Sequence, residues 1–135
     1  MDLGIRGRRA LIGGASSGLG RAIAVRLAAE GCDVAVSARR VNLLEALATE
    51  LGARYGIRAV AVPADLAQPG AAVDLAAAAT ESLGPIDILV LNAGGPPTVE
   101  STSTDAAGWE RAFQLLATSP IELASALLPG MRERA

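Results

Sequence analysis

The chain has 135 residues, enough for one hydrophobic core and too few for two. Apolar residues make up 51% of it but aromatics only 2%, which excludes a base-stacking surface and favours aliphatic helices packed on a buried sheet. A net charge of −2, scattered arginines, one cysteine and no histidine argue against nucleic acid, an anionic membrane, a disulfide framework or a zinc site, and leave small-molecule chemistry in a reducing, cytoplasmic setting.

No stretch reaches the roughly 18 uninterrupted apolar residues of a membrane span, and "MDLGIRGRRA" lacks the apolar core of a secretion signal. In chain order, "ALIG" (10–13) predicts a short buried strand. Leu19, Ala22, Ile23 and Leu27 then recur at helical spacing up to Glu30, with Gly31 placed to end the helix. "DVAVSA" (33–38) is the second strand, and Leu44, Leu47, Ala48 and Leu51 stripe the second helix. "RAVAVPAD" (58–65) is the third strand, followed by an alanine-rich helix from about Gly70 to Leu83. "PIDILVLNAGG" (85–95) is the fourth strand, running into a loop through Thr104 that Gly95, Pro96 and Pro97 keep out of helix or central strand.

A last helix begins near Asp105. Trp109, Ala112, Phe113 and Leu116, then Leu123, Ala124, Leu127 and Leu128, form its apolar stripe, with Pro120 expected to kink or interrupt it. Apolar runs without in/out alternation are the pattern of parallel strands covered on both faces. Strands alternating with helices over short connections predict an α/β, doubly wound parallel sheet of the Rossmann type, about four strands ordered 3-2-1-4, as one domain over 1–135.

"GGASSGLG" sits between the first strand and first helix, where backbone amides and the helix dipole can hold a phosphate. Gly14, Gly18 and Gly20 supply the tight turn and close approach, and Ser16 and Ser17 add hydroxyls. A Walker-type loop is excluded, because it needs a lysine and the chain has none. The second strand ends "VSARR", with Ala38 where an acid for a ribose 2′-hydroxyl would stand and Arg39 and Arg40 beyond it. Arginine there suits a 2′-phosphate, which favours NADP over NAD. Asp33, at the start of that strand, is too early for the ribose and reads as structural.

These motifs resemble those of the short-chain dehydrogenase/reductases. "GGASSGLG" is similar to the family's TGxxxGxG loop, with Gly13 where threonine is usual, and "LNAGG" resembles its NNAG motif, with Leu91 for the first asparagine. "ADL" resembles the acidic turn that contacts the adenine ring. The resemblance implies a nicotinamide dinucleotide held by Gly14, Ser16, Ser17, Gly18, Leu19, Gly20, Arg39, Arg40, Asp65, Leu66, Asn92, Ala93 and Gly94. It also implies a carbonyl or alcohol substrate, and a homo-oligomer through the helix that begins near Asp105.

The family's serine, tyrosine and lysine have no counterpart here. Tyr55 is the only tyrosine, with Ala59 rather than lysine four residues on, so no catalytic residue is assigned. The family's helical asparagine falls on Leu116, which reads as core. Residues 1–135 are therefore expected to be the cofactor-binding part of an NADP-dependent oxidoreductase, truncated before the catalytic region and inactive alone. The alternatives are a non-catalytic dinucleotide sensor or scaffold, and, against Ala38 and Arg39, an adenosylmethionine-dependent methyltransferase.

Overall fold

A computed structural model describes residues 1–93 and 105–135. Four strands, β1 (Arg9–Ile12), β2 (Asp33–Val36), β3 (Ala59–Ala61) and β4 (Ile88–Val90), form one parallel sheet in the order β3-β2-β1-β4, as the sequence predicts. The ladder runs past these bounds, since the amides of Ser37, Val62 and Ala64 donate to the carbonyls of Ile12, Val36 and Ala38. Helices α1 (Gly18–Ala29), α2 (Val41–Tyr55) and α3 (Ala71–Leu83) cross between the strands. A final helical run comprises α4 (Ala106–Phe113), a π-helical segment (Gln114–Thr118) and α5 (Ser119–Arg134).

Strand side chains alternate between two faces, and each face has its own helices. Ala10, Ile12, Val34 and Val36 point into a core with Ala24 and Ala28 of α1 and Leu44, Leu47 and Leu51 of α2. Leu11 and Ala35 point the other way, against Leu75, Ala79 and Leu83 of α3 and Leu123 and Leu127 of α5. Coverage on both faces explains why β1 and β2 read as continuous apolar runs. Helix α1 ends where Gly31 takes a positive φ of 89°, with its amide on the Ala28 carbonyl.

The amino edge of the sheet is fastened by charge. Asp87 accepts from the Arg9 amide at 3.0 Å and from Arg134 Nε at 3.3 Å, while Arg134 Nη2 donates to the Ile86 carbonyl at 2.5 Å. Helix α5 is thus tied at its far end to the start of β4. Asp33 accepts from the Arg58 amide at 2.9 Å, which confirms its structural role between β2 and β3.

The last helical run packs only in part against the rest of the described chain. Leu123 and Leu127 are buried, but Trp109, Phe113, Leu116 and Leu128 are exposed, and α4 buries no residue. The exposure has a geometric cause: α5 lies against α3 and the sheet, whereas α4 packs chiefly on the π segment next to it. Periodicity marks an apolar face without saying what covers it. Pro120 is the second residue of α5, just past the π segment, so the run changes helix type near a residue with no amide to donate.

Two outcomes test this account. Asp87→Ala should cost about 2 kcal/mol in urea unfolding, because it removes a carboxylate that accepts from two elements, and Asp87→Asn should cost less. Cys32 is buried with its thiol donating to the Ile5 carbonyl at 3.3 Å; burial, reinforced by Asp33, Glu30 and Asp87, pushes its pKa up. The folded chain then holds that proton more tightly than the unfolded one. Stability is intact below the ordinary thiol pKa and falls as pH rises through the raised value, so unfolding midpoints should begin to drop once pH passes the ordinary thiol pKa of about 8.5, and less in Cys32→Ala.

Candidate functional site

The site forms at the carboxyl edge of the sheet, where β1 runs into the glycine-rich turn and β4 runs into Asn92. Helix α1 starts at Gly18, whose positive φ of 58° turns the chain and whose surroundings are open. A Cβ on Gly20 would lie 2.1 Å from the Gly14 carbonyl oxygen, so the first turn of α1 rests on the loop backbone itself. Asn92 braces the other side: its Nδ2 donates to the Gly13 carbonyl at 3.3 Å. A Cβ on Gly13 would meet the Asn92 carbonyl oxygen at 2.5 Å, so glycine permits the closest approach of the two strand ends. Of the sequence-predicted residues, Gly14, Gly20 and Asn92 thus form one packed joint.

Ser17 is the N-cap of α1 in extended conformation, yet its hydroxyl makes no capping bond to the helix. Instead Arg40 Nη2 donates to both Ser16 Oγ and Ser17 Oγ at 3.1 Å. The helix N-terminus is left without a side-chain acceptor, and a guanidinium stands beside it. Spacing alone does not reveal this link, since Arg40 lies more than twenty residues from either serine. Arg39 is exposed and makes no hydrogen bond or ion pair among the described residues. Leu19 is exposed on the first turn of α1.

Asp65 lies just beyond β3, and its Oδ1 accepts from the Ala67 amide at 3.1 Å in a turn that fixes the carboxylate. The Leu66 carbonyl accepts from the buried hydroxyl of Ser119 at 2.5 Å, and Gln114 Nε2 donates to that hydroxyl at 3.0 Å. This chain of bonds ties the turn after β3 to the π segment. Sequence spacing does not predict it, although a serine before proline inside an apolar stripe is its visible sign. Ala93 stands next to Asn92 at the edge of the site; Gly94 and the rest of the predicted loop lie outside the described residues. Tyr55 ends α2 and so lies at the amino edge of the sheet, opposite the glycine loop.

Between the carboxyl end of β4 and the π segment is a cavity of about 210 Å³. Gly13, Asn92 and Ala93 form its wall toward the glycine loop; Leu66, Leu91, Leu116, Pro120 and Leu123 supply much of the rest. Leu116 is therefore not core but a half-exposed wall of this cavity, with 52% of its surface accessible. Among the described residues no helix is long and apolar enough to cross a membrane.

The family model described as short chain dehydrogenase matches residues 8–135. A 3-oxoacyl-[acyl-carrier-protein] reductase of rhamnolipid biosynthesis from Pseudomonas aeruginosa is 39% identical over 131 residues, covering 97% of this chain and 50% of that one. A glycine betaine reductase from Emericella nidulans is 38% identical over 130 residues, 96% of this chain and 10% of that protein. Among solved structures, L-sorbose reductase from Gluconobacter frateurii, complexed with NADPH and L-sorbose, superposes with a TM-score of 0.91 at 37% identity, over 99% of this chain and 51% of that one. The chain spans about half or less of the length of these relatives. With the sheet order, the glycine-rich turn and the Asn92 brace in place, the chain belongs to the short-chain dehydrogenase family.

Proposed function

We propose that the chain binds NADP and forms the cofactor-binding part of an oxidoreductase that interconverts a carbonyl and an alcohol. The observation that carries this reading is the Arg40 guanidinium bridging Ser16 and Ser17 beside an α1 N-terminus with no side-chain cap. A dinucleotide fits there: the free amides around Gly18 to Gly20 would hold the pyrophosphate, and the open space at Gly18 leaves room for it. Arg40, with Arg39 exposed next to it and Ala38 in place of an acid, would hold the 2′-phosphate by charge-assisted bonds. NADPH complexes among the structural neighbours support the same choice.

Bound NADP would supply hydride chemistry, and this chain's part is to hold and orient it. Asp65, held in its turn by the Ala67 amide, would face the adenine side, and Asn92 and Ala93 would support the nicotinamide-side ribose. Tyr55, the one tyrosine, is at the opposite edge of the sheet, so no proton donor to the substrate is assigned within the described site. A second reading, dinucleotide binding without turnover, is favoured by Leu116, an apolar side chain where a proton relay would need a polar one. We place the protein in the cytoplasm, where Cys32 stays reduced.

The reading extends to self-association through the exposed stripe that includes Trp109 and Phe113. Arg40→Ala should weaken NADPH binding at least about tenfold in calorimetric titration while changing NADH binding by less than about twofold; equal losses would refute the 2′-phosphate assignment. Carbonyl-dependent oxidation of NADPH distinguishes the enzyme from the sensor. Sedimentation should show concentration-dependent association that Trp109→Glu with Phe113→Glu abolishes; a monomer at all concentrations would remove the oligomer from the reading.

A further inference from the structure

The three positions that depart from the resembled motifs, Gly13, Leu91 and Leu116, lie far apart in sequence and line the same cavity. Gly13 contributes only backbone to its wall, and Leu91 and Leu116 add aliphatic surface, each about half exposed at 51% and 52%. The π segment reinforces the effect. Consecutive residues of an α-helix point about 100° apart, yet Leu115 and Leu116 both line the cavity from the widened turn before Pro120. Such turns concentrate at functional sites.

Among the described residues Asn92 is the one polar side chain in the lining, and its Nδ2 is on the Gly13 carbonyl; the other side chains of the wall are aliphatic. A polyhydroxylated ligand would surrender hydration here and meet few free partners among the described side chains. An aliphatic chain would lose nothing by entering. The volume suffices, since an apolar cavity of ~150 Å³ holds benzene. The cavity also lies at the carboxyl ends of β1 and β4, the point where strand order reverses, and shares Leu66, Asn92 and Ala93 with the proposed cofactor site.

We propose that this cavity receives the aliphatic portion of the substrate, with Leu116 and Leu91 selecting a hydrophobic ketone or alcohol over a polyol. The inference rests on the cofactor reading above for the word substrate, and on the cavity alone for the chemistry of the ligand.

The test is methyl NMR on the 135-residue chain with labelled leucines, titrated with 2-butanone, 2-pentanone, 2-hexanone and L-sorbose. Saturable shifts are expected at the methyls of Leu91, Leu116 and Leu123, with affinity rising about fourfold per methylene, the ratio that about 0.8 kcal/mol represents. L-Sorbose should leave these methyls unmoved. Leu116→Asn should weaken 2-hexanone about tenfold; if that variant does not fold, Leu91→Asn, at the exposed strand end, reads the same wall. Shifts that do not saturate, a flat series, shifts confined to the α4 face, or equal binding by the Asn variant would overturn the proposal. NADPH titrated into the same unmodified sample is read at the amides of Gly18 to Gly20. Failure of the ketones beside normal NADPH binding defeats the cavity assignment alone, whereas ketone binding without NADPH binding defeats the oxidoreductase reading and the substrate role with it.

Discussion

The joint between β1 and β4 is the constraint on which the rest of the site depends. Asn92 reaches across from the end of β4 to the Gly13 carbonyl, and the loop backbone there is too close to tolerate a Cβ at Gly20 or, without displacement, at Gly13. Glycine is needed in these places because backbone, rather than a flexible side chain, occupies the space a Cβ would take. The joint holds the strand ends together while the start of α1 sits on top of them. The direction of the α1 N-terminus, and so of its free amides, is set by that packing.

The serines of the loop illustrate how stability and binding trade against one another. A serine at an N-cap ordinarily accepts from the first-turn amides, and losing that bond costs about 1 kcal/mol. Here the hydroxyl of Ser17 accepts from Arg40 instead, so the helix start keeps its unsatisfied amides. Two sources of positive potential, the helix dipole and the guanidinium, then converge on one solvent-open place. A structural turn would satisfy those amides internally. An arrangement that leaves them open and draws an arginine in from the start of α2 fits the anion site proposed above.

Much of this was legible in the sequence, because the signals were local or strictly periodic. The sheet order is implied by alternating strands and helices, and the two-sided burial by apolar runs such as Ala10–Ile12 and Val34–Val36. Leu44, Leu47, Ala48 and Leu51 all fall in the core as their spacing required. Gly14, Gly20 and Asn92 were legible as one joint because their motifs fall at strand ends. The bridge from Arg40 to the loop serines and the bond from Ser119 to Leu66 were not, since each joins residues whose proximity exists only after the sheet has formed.

The last helical run shows why periodicity alone misassigned Leu116. An apolar stripe from Trp109 to Leu128 looks uniform when projected on an ideal helix, but the run is not ideal: the π segment from Gln114 to Thr118 adds a wide turn and shifts the phase of the helix beyond it. Leu123 and Leu127, beyond the shift, keep their place against the sheet and α3, while Trp109 and Phe113, before it, face outward. Leu116 sits at the change of phase itself and belongs to neither surface, which is how a residue on the stripe comes to line a cavity beside the glycine-rich loop. The one sequence sign of that break is Pro120, whose missing amide cannot serve the carbonyl of Leu116 four residues earlier.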